Sequence, residues 1–267
     1  MANAPKELRT RIRKLLDRLV QSRRLSNEDQ EVIGDEVAAE ARKLPRDGVL
    51  DALDNATGRS ESRRKEAVYL LSEWTDSPAV VDRIGEWISD RDHQWRSLLI
   101  QTVGRDGLTQ LAPHLSGIIE HDRDEICRDM AIHAAAKLRA DECLPALLRL
   151  ADQDDPSLTW RLATALSSYA TEECRPRLRK WFSDHSLTKS TRIFAAWGLG
   201  KLGEQTAIDY LIEMLDDPDE RGDNYFRPGD SIRAAQAICD IRGWEFEWDK
   251  SFVSKTRDLV LNAKSNA

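Results

Sequence analysis

The sequence lacks the short motifs by which most enzyme classes are recognised. It has no glycine-rich phosphate loop, no HExxH metal pair, no nucleophile elbow and no paired-cysteine motif. Aromatic residues make up only 6% of the chain, and no apolar run approaches the length of a membrane span. The five histidines show no spacing typical of a metal site. We therefore expect no catalytic residues, no cofactor, no metal and no membrane contact.

Secretion features are also missing from the sequence. The N-terminus is charged instead of signal-like, and the net charge of −7 is ordinary for an intracellular protein. We predict a cytoplasmic protein. The four scattered cysteines are then expected to be reduced thiols in or near the core: Cys127, Cys143, Cys174 and Cys239.

What the sequence does contain is a repeat with a step of thirty-two residues. One small or apolar position recurs at that step, at Ala67, Leu99, Ala131, Ala163 and Ala195. Each copy is typical of two amphipathic helices joined by a short polar break and closed by an acidic turn. A single helix pair cannot bury its own apolar face, so we predict that the copies stack, with small residues where the layers approach closely.

The repeat boundaries follow from this register. Full repeats begin near Glu61, His93, Glu125, Ser157 and Lys189, after a degenerate first repeat and before a last one near Ser231. Second helices are predicted over residues 77–88, 108–119, 141–150, 171–182 and 204–215.

An arginine recurs near the start of the first helices. The five copies are Arg64, Arg96, Arg128, Arg161 and Arg192. An arginine at this place can reach back to an aspartate of the preceding acidic turn, so we predict that these residues join one repeat to the next. The alternative is a solvated charge on the helix face.

The run from Arg192 to Gly203 resembles the short HEAT-like repeat of the phycobilin-lyase type. The family's pattern is an arginine, then Ala-Ala, then Ala-Leu-Gly, then a second helix that ends in leucine and Asp-Pro, and Asp216-Asp217-Pro218 completes it here. The resemblance implies an all-α fold, an α-solenoid of about six to seven two-helix repeats in a single domain over residues 1–267. The N-terminal cap would cover residues 1–28, the repeats 29–245 and the C-terminal cap 246–267. It implies little about function, since such repeats serve lyases, scaffolds and inhibitors alike.

The first helix, predicted over residues 5–24, has an apolar face and a strongly basic polar face on which Glu7 and Asp17 are the acidic residues. We predict that it caps the first repeat, with its basic face against the acidic body. The alternative is a contact site for nucleic acid, a membrane surface or an acidic partner. Ser26 is the predicted N-cap of the helix that follows.

An insertion near residues 217–230 interrupts the repeat before its last copy. Its sequence, DPDERGDNYFRPGD, predicts a loop. It does not fit a calcium loop, because Arg221 and Pro228 stand where oxygen ligands belong. The loop carries Tyr225 and Phe226, which either bind a partner or pack on the last repeat.

The second helices are expected to line the inner curve of the solenoid. Their charge changes sign along the chain: acidic at Asp82 and Glu86, basic at Arg175 and Arg179, acidic again at Asp209 and Glu213. A nucleic acid would be repelled at both ends of such a surface, whereas a folded protein could match all three zones. Aromatic anchors for that partner would come from Trp87, Trp181, Tyr225 and Phe226.

The sequence therefore favours a non-enzymatic protein-binding solenoid that holds a protein partner of unknown identity. An inhibitor or immunity protein for a toxin and an assembly chaperone both fit. The alternative is a HEAT-like enzyme of the phycobilin-lyase or DNA-glycosylase sort, for which no catalytic residue can be assigned.

Overall fold

The computed structural model describes residues 6–216, 229–245 and 251–265. Every regular element in those ranges is a helix, which confirms the predicted all-α fold of two-helix repeats. None of the described helices is long and apolar enough to cross a membrane. The chain forms two compact units, residues 1–134 and 135–267. The single domain expected from the repeat stays a prediction.

The first unit contains a leading helix and then helices in pairs. They are α1 (Lys6–Ser22), α2 (Asn27–Ala41), α3 (Val49–Thr57), α4 (Glu61–Ser72), α5 (Pro78–Ser89), α6 (Arg96–Arg105) and α7 (Ala112–His121), followed by α8 (Glu125–Leu138), within which the division falls. Ser26 caps α2 as predicted, since its side chain accepts a hydrogen bond from the backbone N–H of Asp29.

The second unit continues the same pattern of pairs. Its helices are α9 (Leu144–Ala151), α10 (Thr159–Tyr169), α11 (Arg175–Ser183), α12 (Lys189–Lys201), α13 (Gln205–Glu213), α14 (Asp230–Arg242) and α15 (Phe252–Ser265). The second helices α7, α9 and α11 begin a few residues later than predicted. Each has a proline in its first turn, where the missing N–H costs nothing, and α7 and α9 follow a short 3-10 turn.

Helix α1 buries its apolar face on the helices beside it. Its five buried apolar residues are Leu8, Ile12, Leu15, Leu16 and Leu19, and the helix packs on α2, α3 and α4. The basic face is tied down at its C-terminal end, where Arg18 pairs with Glu36 and Glu40 at 2.6 and 2.5 Å. Helix α1 thus covers the first repeat with its apolar side. The predicted contact of its basic face with the acidic body is found at Arg18 and at Arg23 beyond the helix end, whereas the other basic side chains of the helix are exposed.

Small residues set the spacing of helices within each unit, as expected. A methyl group added to Gly104 would lie 2.6 Å from the Cα of Ala134 in the first unit. In the second unit, a methyl group on Gly198 would lie 2.7 Å from Leu178 and 3.0 Å from the backbone of Ser167. Contacts this short are not tolerated, so these positions need glycine for the close approach of their neighbours.

Candidate functional site

Helix α11 carries two basic side chains that reach back to the preceding acidic turn. Arg177 and Lys180 pair with Asp154 at 2.7 and 2.6 Å, and Arg177 also pairs with Asp152. The hydrogen bond from Lys180 is the main reason why the pKa of Asp154 lies below its usual value, and Arg177 adds to the effect. These pairs join α11 to the turn that precedes α10.

Two further basic side chains of α11 reach forward to the next repeat. Arg175 and Arg179 both bind Glu204, at 2.6 and 2.8 Å, and Glu204 directly precedes α13. Arg175 also pairs with Glu172 at 2.6 Å and donates to the carbonyl of Leu202 at 3.1 Å. Glu172 and Glu204 together raise the pKa of Arg175. The guanidinium of Arg175 thus joins repeats, and its partner-binding role stays a prediction. The side chain of Arg179 stays 60% exposed.

Arg96 is the first-helix arginine with the strongest bonding. Its side chain is buried, its Nε donates to the carbonyl of Ile88 at 2.7 Å, and its guanidinium forms an ion pair with Asp122. Asp122 follows α7, so the arginine reaches forward instead of back to the preceding acidic turn. Burial is the largest single influence on the pKa of Asp122 and would raise it, but the bond and charge of Arg96, the backbone N–H of Asp124 and the charge of Arg91 together lower it.

The other recurring arginines use different partners. Arg192 donates to the carbonyl of Phe182 at 3.1 Å, and Arg64 donates to the side-chain oxygen of Gln94 at 3.2 Å. Arg161 donates to the carbonyl of Ser157, four residues earlier on the chain. The Nε of Arg128 is buried and makes no hydrogen bond within the described ranges. Arg64, Arg96 and Arg192 thus bond to residues of an adjacent repeat, but none of them does so through an aspartate of the preceding acidic turn.

The two tryptophans expected to anchor a partner lie in the core. Trp87 is 7% exposed; it stacks on His93 with ring centroids 4.5 Å apart and meets Trp95 edge-on. Trp181 is 5% exposed. Buried rings cannot serve as contact points on a surface, so these two assignments are corrected. Their indoles fill space between helices instead.

The acidic residues assigned to the second-helix surface are exposed in both units. Asp82 and Glu86 lie on α5, where Glu86 accepts a hydrogen bond from Arg83 at 2.5 Å. Asp209 and Glu213 lie on α13 in the second unit. They remain available to a partner. Tyr225 and Phe226, with the loop over residues 217–228, lie outside the described residues.

The second unit also holds an aromatic cluster that the sequence reasoning missed. Trp160 on α10 is 44% exposed and meets Phe194 on α12 edge-on, with ring centroids 5.9 Å apart. Phe194 stacks on Trp197 at 6.1 Å. The indole N–H of Trp197 donates to Asp240 at 2.7 Å, and Lys201 lies 5.3 Å from the Trp197 ring centroid. We call Trp160, Phe194 and Trp197 the aromatic patch.

A sequence signal for the aromatic patch did exist. At the thirty-two-residue step, Phe194 and Trp197 replace Leu162 and Ala165 of the preceding repeat. Leu162 and Ala165 are buried, whereas Phe194 and Trp197 are half-buried. A larger ring in place of a buried leucine or alanine indicates that part of the side chain extends beyond the packed layer.

No arrangement of three or more His, Cys, Asp or Glu side chains suited to a metal ion occurs among the described residues. The four thiols are buried. Burial raises the pKa of Cys127 to about 11 and that of Cys143 to about 12, so both are neutral thiols at physiological pH.

Comparison with known proteins bears on the fold. A family model for HEAT repeats matches residues 144–223. Comparison with curated proteins gives no match. A solved structure of human deoxyhypusine hydroxylase in complex with glycerol is 15% identical over 98% of each chain, with a TM-score of 0.30, too low to inform either fold or function. The match to HEAT repeats over residues 144–223 and the all-helical architecture of the described ranges support a HEAT-like repeat protein.

Proposed function

We propose that this chain is a non-enzymatic protein-binding repeat protein that anchors its partner on the aromatic patch. The observation that carries the proposal is the exposed face of Trp160. Tryptophan is among the residues that dominate protein interfaces, because it brings a large contact area with few rotatable bonds. A solvated indole that a partner would cover is a source of binding free energy.

The surroundings of Trp160 hold its ring in place before a partner arrives. Phe194 packs against it edge-on, and Trp197 is fixed in turn by its bond to Asp240 and by Lys201. A ring that is already ordered loses little freedom on binding, which favours affinity. The patch spans α10 and α12, so it depends on the stacking of two repeats and not on one helix alone.

The second-helix surface supports the proposal in a reduced form. Asp82 and Glu86 in the first unit, and Arg179, Asp209 and Glu213 in the second, are exposed and can contact a partner. Charges of this kind orient a partner and increase its association rate more than they add affinity. We propose the charges of each unit as a separate contact surface on the second helices, tested apart from the aromatic patch, which lies on the first helices α10 and α12.

Two roles fit such a binding protein. An inhibitor or immunity protein would cover the working surface of a toxin, and an assembly chaperone would hold a subunit until its own partner displaces it. Both use a preformed surface and need no chemistry from the repeat protein itself.

The test is affinity capture from the natural host, followed by calorimetry with the purified partner. Trp160→Ala should weaken binding by about thirtyfold, the loss typical of a central interface residue. Leu259→Ala is the matched control, since Leu259 is 43% exposed on α15 but lies outside the patch. Circular dichroism shows whether each variant is folded.

A partner that binds on the second helices instead would give a different set of results. If Trp160→Ala binds as wild type while Asp209→Lys with Glu213→Lys abolishes binding, the anchor lies on the second helices and the aromatic patch is not the site. If Leu259→Ala weakens binding as much as Trp160→Ala, neither placement is right.

A further inference from the structure

The first unit contains a cleft of about 350 Å³ between α1, α2 and α4. Its apolar lining includes the buried side chains of Leu19, Val37 and Leu70, one from each helix. Sites for small organic ligands begin at about this size and are mostly apolar with a few polar groups. The cleft lies within one unit and shares no residue with the aromatic patch.

Within the cleft lining, Glu66 already binds an organic cation that belongs to the chain itself, the guanidinium of Arg23. Both carboxylate oxygens of Glu66 accept hydrogen bonds from Arg23, at 2.8 and 3.0 Å, and Glu66 is only 6% exposed. The guanidinium of Arg23 lies 5.3 Å from the ring centroid of Tyr69, which is 55% exposed. The bond to Glu66 is the main cause of the raised pKa of Arg23. A carboxylate beside an aromatic face is a combination that binds guanidinium and ammonium groups.

Helix α2 contributes to the lining two exposed acidic side chains that pair with no cation among the described residues. Glu31 and Asp35 lie one turn apart on α2 and both line the cleft. Neither has a hydrogen-bonded or ion-paired partner among the described residues. Glu73, also in the lining, differs because it pairs with Arg42 at 2.5 Å. The cleft therefore retains negative charge after Arg23 is counted.

Gly34 borders the cleft between those two carboxylates. Gly34 lies in the interior of α2, where glycine disfavours the helix relative to alanine. A methyl group added there would meet no atom within 4 Å, so packing between helices does not require the glycine. Open space before Gly34 gives a ligand access to the backbone of α2.

We propose that this cleft binds an organic cation with an apolar stem, its guanidinium or ammonium group at Glu31 and Asp35 and its stem on Leu19, Val37 and Leu70. The negative charge of Glu31 and Asp35 favours a cationic ligand. The apolar side chains of the cleft favour a ligand with a hydrocarbon stem over an inorganic cation. The same chemistry is found in a free alkylguanidine and in an arginine side chain of a peptide. The proposal is independent of the aromatic patch.

The experiment is calorimetry on the full chain with two cationic probes and one neutral probe. Phenylbutylguanidinium represents a free ligand, acetyl-Leu-Arg-Leu-amide represents a peptide, and phenylbutylurea has nearly the same shape without the charge. We expect at least one cationic probe to bind, and the urea to bind about tenfold more weakly because it lacks the charged hydrogen bonds. The tighter of the two cationic probes identifies the source of the ligand.

Variants of α2 then locate the binding site. Glu31→Gln with Asp35→Asn should weaken the cationic probe about tenfold, whereas Glu28→Gln, exposed on the same helix outside the cleft, should not change it. Gly34→Leu should fill the cleft and abolish binding while its melting temperature stays the same or rises, because leucine favours the helix. A stable variant that does not bind rules out unfolding as the cause.

Several results would overturn the proposal. They are failure of both cationic probes to bind wild type, equal binding of the urea, and unchanged binding by Gly34→Leu. If the variant with both Glu31→Gln and Asp35→Asn binds the cationic probe as tightly as wild type, the cation binds elsewhere. None of these results bears on Trp160.

Discussion

The acidic turn that follows a second helix is bound differently in the two units. In the first, Asp122 is buried and pairs with Arg96, from the first helix of its own repeat. In the second, Asp154 is exposed and pairs with Arg177 and Lys180, from the second helix of the next repeat. The acidic turn is the constant feature, and the source of the cation varies.

The difference teaches that a recurring residue need not have a recurring role. Arg96 and Arg128 occupy the same position in adjacent repeats, yet Arg96 forms a buried ion pair and the Nε of Arg128 makes no hydrogen bond in the described ranges. Burial also changes the energetics. Breaking a buried pair leaves an uncompensated charge, whereas exposed pairs are screened by water and salt.

The largest effect is expected from Arg96→Ala. The substitution leaves Asp122 buried without a cation and the carbonyl of Ile88 without its donor, so the free energy of unfolding should fall by about 3 kcal/mol. Urea denaturation followed by circular dichroism measures it. Arg123→Ala is the control, because Arg123 is exposed nearby. A loss no larger than that of the control would show that the buried pair contributes little.

A pH series sharpens the same comparison. Burial would raise the pKa of Asp122, but Arg96, the backbone N–H of Asp124 and Arg91 together outweigh it, so the pKa is lowered in the folded protein. The contribution of Asp122 to stability is therefore present above the unfolded pKa of about 4 and is lost as pH falls through the folded value. In Arg96→Ala, burial instead favours the protonated carboxyl. The stability difference between wild type and the variant should therefore shrink as pH is lowered from about 6 to about 3. A constant difference would contradict the ionic origin.

A smaller effect is expected from Arg177→Ala with Lys180→Ala. Asp154 is solvated, so losing its two cations should lower the melting temperature less than Arg96→Ala does. The shift should diminish further at about 1 M salt, where exposed charges are screened within a few ångströms. A shift that persists in high salt would mean that the side chains act through packing and not through charge.

The smallest effect is expected from Arg128→Ala. Its Nε makes no hydrogen bond among the described residues, so the free energy of unfolding should change by about 0.5 kcal/mol or less. Arg139→Ala, at a position between α8 and α9, serves as the comparison. If Arg128→Ala lowers the free energy of unfolding nearly as much as Arg96→Ala does, the two arginines have equivalent roles after all.

The fold was predictable because its signals are local. The thirty-two-residue step and the acidic turns placed the second helices within a few residues of their observed bounds. Helix α1 followed from its five apolar residues in the same way. These features depend on the spacing along one chain segment, which the sequence displays directly.

The site was harder to predict because it depends on which neighbour each side chain meets. Trp87 was assigned to the surface from the acidic residues beside it, but α5 buries a broad stripe that includes Ile84 and Ile88 as well. The roles of Arg175 and Arg179 depend on the distance to Glu204, twenty-five or more residues away along the chain. Periodicity gives a helix its buried face but not the partner of each charge.

The buried thiols offer a way to observe motion in this protein without added labels. A thiol reacts with alkylating reagents as a thiolate, so a thiol that is buried with a raised pKa, such as Cys127 or Cys143, reacts only after its surroundings open. Cys127 reports on α8, Cys143 on the turn before α9, Cys174 on the start of α11 and Cys239 on α14. Mass spectrometry of the alkylated peptides would therefore record how often each repeat opens, and whether neighbouring repeats open together.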